Sequence, residues 1–582
     1  MPSALDESPK YPRLNPDTMD KNTPTDFHPL DTFEHVVVLM LENRSFDNLL
    51  GFLYEDERFK IPEGKTFAGL NDPNCYADVP SYAKGHTKND RLKPIPVQNN
   101  DFSQPFPDPG EVYQHVNTQL YNTIIPNSNK GIDQTQMTKP YNLPDHNSLP
   151  PEKKRMRGAV KDYINTLQGL WYSKIGSKPW WRRIFMWKKK RQYGAYKNPG
   201  IDQYGVIMQC FTPKQVPVLS TLACEFAVFD HWFCSVPSQT WCNRAFWHAG
   251  TSGGQVVNPT DEATDQIWHD FKIWREQVWS QPTLFDRMKE CGVSHHVYAS
   301  PLIALTQLVH GFKHNLKVVS NEFDLIEFSR DINGESDRGF AKYSFIEPKF
   351  FGKHNDQHPS SVGSGWYVDD GKTREGTVRL GEELIRLVYN IIKDSPHRDD
   401  TLLIITHDEH GGCYDHVYPK KAVPPDFPKP GQKGFGFDRL GIRVPMVMVS
   451  SHIPKNTIVN EHFDHTSFIK TMCEKWKMEG LQKRDKSDKT KTFKHIFSRT
   501  KRTHWPELPE VSPPIIEGED EDYHQDPLNE LQRTMLMAAT KIARENAETR
   551  KQEIREVNLD KMDTVKEAMD YLAEIRPLLE SD

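Results

Sequence analysis

The chain has 582 residues, of which 36% are hydrophobic and 26% are charged. Its 80 acidic and 74 basic side chains give a formal net charge of −6, which excludes a globally basic nucleic-acid binder. The mean hydropathy is −0.71, and no apolar run approaches the roughly 20 residues that span a bilayer, which excludes an integral membrane protein. The eight cysteines contain no CxxC pair, so we expect neither a zinc ribbon nor a disulfide scaffold.

The first segment of the chain is polar and rich in proline. Residues 1–31 therefore predict a flexible N-terminal arm rather than a packed element. The same segment lacks a basic stretch followed by an apolar one, so no secretory signal is visible. We expect a cytoplasmic location, with peripheral membrane association and secretion by another route left open.

Short apolar segments farther along the chain predict buried strands. They span residues 36–41, 226–229, 401–406 and 444–449. Apolar runs of this length are typical of strands that are buried on both faces of a mostly parallel sheet. Residues 382–392 lie between two of them and show apolar residues on one helical face. Strands that alternate with helices predict an α/β sandwich, and we interpret the irregular segments 60–160 and 330–380 as loops that wall a site.

The composition changes sharply near residue 505. Residues 505–526 combine prolines with an acidic run and predict a linker. Asp526 and Pro527 then suit the start of a helix, and residues 527–582 show two segments with apolar residues at helical spacing. We expect this C-terminal helical region to pack on the main body or on a second copy of the chain, which would make a homo-oligomer. A catalytic role for it is not expected.

Acidic motifs follow two of the predicted strands. Glu42 and Asn43 come after the first strand, and Asp408 and Glu409 come after the third. In open α/β sheets, ligands bind in the crevice beyond the carboxyl ends of the strands. Carboxylate and amide oxygens that meet there would suit a divalent cation, whereas loop capping and surface charge are the alternative interpretation.

A hydroxyl residue, Thr240, begins the helix predicted after strand 226–229. The free N–H groups and the positive end of the dipole at a helix N-terminus favour an attached phosphate. A plain capping role is the alternative, because threonine is common at this position in many helices.

Taken in order, these motifs resemble those of a known family. The chain is similar to the phosphoesterase family that contains bacterial and fungal phospholipases C and a group of acid phosphatases, over roughly residues 33–500. The matching motifs are Glu42–Asp47, Pro237–Arg244, Ser344–Pro348, Asp356–Pro359, Asp408–Val417 and His465–Ser467. The resemblance implies an alkaline-phosphatase-like α/β sandwich, with a catalytic domain over residues 32–504.

The resemblance also implies roles for individual residues. One divalent metal ion, for which calcium, zinc, magnesium and manganese remain open, would be held by Glu42, Asn43, Thr240, Asp408 and Glu409. Thr240 would be the nucleophile, and the further catalytic residues lining the phosphate pocket would be His115, His358 and His465. The motif residues expected to bind substrate are Asn243, Arg244, His410, Asp415 and His416.

The function that these features predict is that of a phospholipase C. A cation lowers the pKa of a bound hydroxyl, so Thr240 would attack phosphorus and form a covalent phosphothreonine, with release of diacylglycerol and a phosphorylated headgroup. A phosphomonoesterase of the acid phosphatase type is one alternative, and a catalytically inactive lipid-binding protein is another. Ser238 replaces the glycine of the family's Pro-Gly-Pro turn and is an alternative nucleophile.

Residues 171–193 have an unusual composition that the family resemblance does not explain. They hold eight basic and no acidic side chains, interleaved with four tryptophans. Tryptophan favours the headgroup level of a bilayer, and basic residues favour anionic lipid. We expect an anionic membrane surface to be contacted by Trp180, Trp181, Arg182, Arg183, Trp187 and Lys188. The alternatives are that the aromatic residues pack into the body or, less favoured, that the segment binds nucleic acid.

Overall fold

The computed structural model describes most of the chain. The described residues are 27–86, 90–122, 155–259, 264–300, 302–311, 318–320, 325–352, 354–359, 377–425, 431–511, 528–559, 562 and 564–579. Most of the predicted N-terminal arm (1–26) and much of the predicted linker (512–526) lie outside these ranges.

The strands are β1 (His35–Leu41), β2 (Ala77–Asp78), β3 (Arg91–Leu92), β4 (Ile95–Pro96), β5 (Gln209–Cys210), β6 (Ala227–Phe229), β7 (Trp232–Phe233), β8 (His295–Ala299), β9 (Val318–Ser320), β10 (Tyr343–Ile346), β11 (Thr401–His407), β12 (Met446–Val449), β13 (Thr457–Val459) and β14 (Phe463–Asp464). The helices are α1 (Phe46–Leu50), α2 (Tyr113–Tyr121), α3 (Ala159–Trp171), α4 (Trp180–Ile184), α5 (Trp187–Tyr193), α6 (Ile201–Tyr204), α7 (Pro217–Glu225), α8 (Thr240–Ala249), α9 (Thr264–Gln277), α10 (Leu284–Glu290), α11 (Leu305–His310), α12 (Ile326–Ile332), α13 (Thr377–Asp394), α14 (His465–Trp476), α15 (Lys483–Lys486), α16 (Glu530–Arg550) and α17 (Val565–Leu579).

The main sheet has eight strands in the order β13-β6-β12-β11-β1-β10-β8-β9. Every neighbouring pair is parallel except those of β12, which is antiparallel to both β11 and β6. Consecutive residues of β1 and β11 are buried, so helices cover both faces of the sheet. The prediction of an α/β fold with a mostly parallel sheet is confirmed, and the four predicted strands differ from the observed ones by at most two residues at an end.

The predicted loops contain regular elements that the sequence pattern did not reveal. Residues 113–121 form α2, a helix in which every residue is buried, polar ones included. Residues 343–346 form β10 inside the second predicted loop segment. The prediction of loops is therefore wrong for these stretches. A buried helix with polar residues on several faces has no amphipathic pattern. Its burial depends on distant segments, such as α3, whose Asp162 pairs with His115.

The C-terminal helices pack on the main body. Apolar residues of α16 and α17 share one hydrophobic cluster with residues of α8, α9 and α11. The described start of the predicted linker also lies on the body, where the buried ring of Trp505 contacts Phe226 and Tyr389. Within the described ranges, no helix is both long and apolar enough to cross a membrane.

Candidate active site

The carboxyl ends of β1 and β11 place two acidic motifs side by side. Leu41 pairs with His407 at the end of the parallel ladder, so Glu42 and Asp408 leave the sheet at the same level. The backbone N–H of Asn43 donates to Oδ1 of Asp408 over 3.2 Å. Burial raises the pKa of Glu42 well above its usual range, and the guanidinium of Arg244 opposes that effect.

Glu409, the residue after Asp408, is fully buried in the tight turn that follows β11. Its Oε2 accepts a hydrogen bond of 2.7 Å from the backbone N–H of Gly411. A Cβ atom at Gly411 would lie 2.0 Å from the carbonyl oxygen of Asn43, so this close approach of the two motifs requires glycine. Burial, followed by repulsion from Asp408, raises the pKa of Glu409 well above its usual range.

Thr240 is the first residue of α8 and faces this carboxylate cluster. Its Oγ1 donates a hydrogen bond of 3.0 Å to Oε2 of Glu42 and lies 3.5 Å from Oδ1 of Asn43. The hydroxyl of Ser238, the alternative nucleophile, instead donates to the carbonyl oxygen of Val256. Of the two hydroxyls, that of Thr240 therefore faces the carboxylates, whereas that of Ser238 is engaged by the backbone.

Arg244 lies one turn farther along α8 and contacts the acidic motifs. Its Nε donates to Oε1 of Glu42 over 3.0 Å and to Oδ2 of Asp408 over 3.3 Å. Its Nη2 reaches the carbonyl oxygen of Met40 over 3.2 Å. The buried guanidinium offsets the repulsion between the two carboxylates and holds them in place. Its Nη1 is buried with no hydrogen-bond partner among the described residues, and the expectation that Arg244 binds substrate stays a prediction.

Asn243 holds the turn that precedes Thr240. Its Nδ2 donates to three carbonyl oxygens of that turn over 2.9–3.2 Å, and its Oδ1 accepts from the N–H of Val236 over 2.9 Å. With its amide engaged by the backbone, Asn243 fixes the turn that presents Thr240 to the carboxylates. The expectation that it binds substrate stays a prediction.

A second cluster adjoins the first and contains residues that the sequence analysis did not assign. One ligand atom from each of Asp108, Glu111 and His358 lies within 4.8 Å of the others. Glu111 links the two clusters, because its Oε2 accepts a hydrogen bond from Nδ2 of Asn43. His358 thus lies beside Glu111, which contacts the first cluster, and its catalytic role stays a prediction. The proximity of Glu111 to His115 in sequence was the available signal for Glu111.

His115 on α2 is oriented by an aspartate from α3. Its Nδ1 lies 2.8 Å from Oδ1 of Asp162, and Gln119 donates to the other oxygen of that carboxylate over 2.8 Å. Although burial alone would lower it, the carboxylate of Asp162 raises the pKa of His115. Gln119 also lies 2.7 Å from Nε2 of His410, so this chain of polar groups reaches the loop after β11. No sequence pattern indicated Asp162 or Gln119.

His465, expected in the phosphate pocket, contacts the backbone of the loop that follows β11. It begins α14, is fully buried and packs against Trp247. Its Nε2 lies 2.7 Å from the carbonyl oxygen of Asp408, and its Nδ1 accepts from the indole of Trp232 over 3.3 Å. Both ring nitrogens are thus engaged by the protein, an arrangement that suits a positioning role, and the expected catalytic role stays a prediction.

Two further expected substrate contacts, Asp415 and His416, belong to a buried ion network. Arg443 donates to both oxygens of Asp415 over 3.0 and 3.2 Å and to Oδ1 of Asp47 over 2.8 Å. His416 lies 2.6 Å from the other oxygen of Asp47. The structure thus places both residues in an ion network with Arg443 and Asp47, and the expectation that they bind substrate stays a prediction.

The basic-aromatic segment is largely at the surface. The rings of Trp180, Trp181, Phe185 and Trp187 are 74%, 50%, 79% and 64% exposed, and we call these four residues the aromatic patch. Arg182 is exposed beside them and Arg183 is partly buried, whereas the side chain of Lys188 lies outside the described side chains. The alternative that these aromatic residues pack into the body is therefore wrong.

The first cluster has the donors that a hard or borderline divalent cation requires. Glu42, Asn43, Asp408 and Glu409 are all buried, and side-chain oxygens of Glu42 and Asn43 lie within 3.5 Å of Thr240 Oγ1. Asp408 accepts from the backbone N–H of Asn43, and Glu409 follows Asp408 in the same turn. Among the described residues, Oε1 of Glu409 has no hydrogen-bond partner, which is costly for a buried carboxylate. The residues present thus fit a metal ion, and oxygen donors of this kind bind calcium, magnesium, manganese or zinc.

Comparison with known proteins identifies the family. The model of the Phosphoesterase family matches residues 33–479. The chain belongs to this family. Non-specific phospholipase C6 of Arabidopsis thaliana is 28% identical over 505 residues, which are 82% of this chain and 75% of the relative. Non-specific phospholipase C1 of the same plant is 32% identical over 313 residues, which are 50% of this chain and 52% of the relative.

Further comparisons give similarities over smaller parts of the chain. Phospholipase C B of Mycobacterium tuberculosis is 27% identical over 297 residues, 46% of this chain and 51% of the relative. Among solved structures, an alkaline phosphatase superfamily protein from Vibrio parahaemolyticus aligns at a TM-score of 0.27 and 13% identity, over 46% of this chain and 61% of that one. Family membership and these relatives identify the chain as a hydrolase of phosphoester bonds.

Proposed function

We propose that this phosphoesterase is a metal-dependent phospholipase C, which cleaves the bond between phosphorus and the glycerol oxygen of phospholipids. The observation that carries the proposal is the hydroxyl of Thr240, hydrogen-bonded to Glu42 among buried carboxylates at a helix N-terminus. The similarity to non-specific phospholipases C over most of the chain supports a phospholipid substrate.

In the first half of the reaction, Oγ1 of Thr240 attacks phosphorus as the bond from phosphorus to the glycerol oxygen breaks. Oε2 of Glu42 accepts the hydroxyl proton, since it already receives this hydrogen bond over 3.0 Å. His115 donates a proton to the leaving glycerol oxygen, and its pairing with Asp162 favours the protonated imidazole that this step needs. Diacylglycerol departs, and the phosphorylated headgroup remains esterified to Thr240.

In the second half, His115 takes a proton from water, and the hydroxide attacks the phosphorus atom. The bond to Oγ1 of Thr240 breaks, and Glu42 returns the proton to that oxygen. The phosphorylated headgroup leaves, and each group regains its starting protonation state. The positive end of the α8 dipole favours the negative charge of the phosphoryl oxygens, although the N–H of Trp241 is taken by Oδ1 of Asn258 over 3.1 Å.

A divalent cation held by Glu42, Asn43, Asp408 and Glu409 would lower the pKa of the Thr240 hydroxyl and neutralise charge on the phosphoryl oxygens. The remaining residues support that arrangement without being proposed ligands themselves. Arg244 keeps Glu42 and Asp408 together, and Asn243 fixes the turn that presents Thr240.

The test is product analysis with purified protein, added divalent metals, mixed phospholipid vesicles and a soluble phosphate monoester. We expect the wild type to release diacylglycerol and T240A to release none. S238A is the matched control, because it removes a neighbouring hydroxyl whose hydrogen bond goes to Val256; it should retain activity. Free phosphate from the monoester without diacylglycerol would move the protein to the phosphatase alternative, and neither product under any metal would favour a binding protein.

A further inference from the structure

The aromatic patch is a surface that the chemistry at Thr240 does not use. Its four rings are at least half exposed, although large apolar side chains are mostly buried in folded proteins. They fall within eight residues on α4, α5 and the turn between them. A cluster of exposed aromatic side chains of this kind marks an interaction site.

The charged residues that neighbour the aromatic patch in sequence are all basic. Residues 171–193 contribute eight basic and no acidic side chains in a protein whose formal net charge is −6. Lys178, Lys189 and Lys190 are exposed, and the guanidinium of Arg182 lies 5.1 Å from the ring centroid of Trp181. The patch therefore combines an apolar surface with a cationic one, which is complementary to an anionic, amphipathic partner.

The segment is joined to the body by a helix that also forms the pocket. Residues of α3, among them Val160 and Leu167, are buried in a core cluster, and the hydroxyl of Tyr163 donates to the carbonyl oxygen of Pro107 over 2.6 Å. The same helix carries Asp162, which orients His115. Trp171, at the C-terminal end of α3, is nine residues or about 14 Å along the helix axis from Asp162.

We propose that the aromatic patch and its basic neighbours dock the protein on an anionic phospholipid bilayer. Indole rings partition to the headgroup level, and each nearby Lys or Arg contributes about 1 kcal/mol on an anionic leaflet. A bilayer satisfies both the apolar rings and the positive charge over one continuous surface. Docking there would bring α3, and with it the pocket residues His115 and Asp162, close to the headgroups. The inference does not depend on the proposed reaction, because the patch is separate from Thr240.

The experiment is co-sedimentation of the full-length protein with vesicles of phosphatidylcholine alone or of phosphatidylcholine and phosphatidylserine in equal parts. We expect strong sedimentation with the mixed vesicles, weak sedimentation with the neutral ones, and release by high salt. The triple variant W180A/W181A/W187A should lose at least nine-tenths of the bound fraction. Y82A is the matched control, since Tyr82 is an exposed aromatic residue outside the segment, and it should bind like the wild type.

A charge variant tests the same surface without touching an aromatic ring. K189Q/K190Q should weaken partition to the mixed vesicles roughly 30-fold, from about 1 kcal/mol for each basic residue, and leave the melting temperature unchanged. T240A should sediment like the wild type, which separates docking from catalysis. Unchanged sedimentation of both patch variants would overturn the proposal, as would a wild type that binds neutral and anionic vesicles equally. Displacement of the vesicles by a single-stranded oligonucleotide at low concentration would assign the surface to nucleic acid and overturn it too.

Discussion

The ion network around His416 allows a structural role of this residue to be tested against a substrate-binding role. Burial alone would lower its pKa, but the adjacent carboxylate of Asp47 raises the pKa of His416 to about 10. At neutral pH the imidazole is therefore protonated, and with Arg443 it balances the charges of Asp47 and Asp415. The variant H416Q keeps a hydrogen-bond donor at this position and removes the positive charge.

The expected loss of unfolding free energy in H416Q follows from the size of the pKa change. Raising the pKa of His416 from 6.5 to about 10 corresponds to about 5 kcal/mol at 1.36 kcal/mol per pH unit. This value is an upper bound on the stabilisation of the folded state by the charged imidazole. Removal of one partner from a buried ion pair commonly costs about 3–5 kcal/mol, and the glutamine hydrogen bond returns about 1 kcal/mol. We expect H416Q to lower the free energy of unfolding by about 2–4 kcal/mol near neutral pH.

The pH dependence has a definite sign. Because the pKa of His416 is raised in the folded state, its stabilisation is fully present below the unfolded value of 6.5 and is lost as the pH rises through about 10. Urea unfolding of the wild type and H416Q should therefore show a difference that shrinks between these two pH values. KM for a soluble phosphoester, measured well below the melting temperature, should change less than about twofold. Equal stability of the two proteins at neutral pH, or a raised KM with unchanged stability, would refute the structural assignment.

Three further substitutions test the site. N243A removes four hydrogen bonds from the turn before Thr240 and should lower kcat roughly 10–100-fold in steady-state assays, whereas an unchanged kcat would contradict its positioning role. E409Q should reduce bound metal by roughly tenfold or more in a titration followed by elemental analysis, and full occupancy would remove Glu409 from the ligand set. E530A breaks the 2.6 Å hydrogen bond from Gln239, the residue before Thr240, and should lower kcat several-fold; wild-type kinetics would show that α16 does not support the nucleophile.

The sheet and the meeting of the acidic motifs could be predicted because their cause is local. The apolar run of β1 has no polar face to expose, so it is buried on both sides, and Glu42 directly follows it. The same holds for β11 and Asp408. Parallel pairing of two such strands then brings the motifs together without any further information. The antiparallel direction of β12 could not be predicted, because it depends on the connections between strands.

The roles of individual residues were harder to predict, because long-range partners determine them. Asn243 and His465 occupy the motif positions that the family resemblance singled out, yet their polar atoms bind backbone groups and Trp232. Asp162 is 47 residues from His115 in sequence, and nothing local indicates that the two meet. Glu530 was also missed, since the C-terminal helices were expected to have only a packing role.

The most direct test of the central claim is to trap the covalent enzyme. The protein would be mixed with metal and phosphatidylcholine vesicles, quenched in acid during turnover, digested and analysed by mass spectrometry. The account predicts that the peptide containing Thr240 carries the mass of the phosphorylated headgroup, in the wild type and not in T240A. Turnover with no adduct on this peptide, or with the adduct on Ser238, would contradict it.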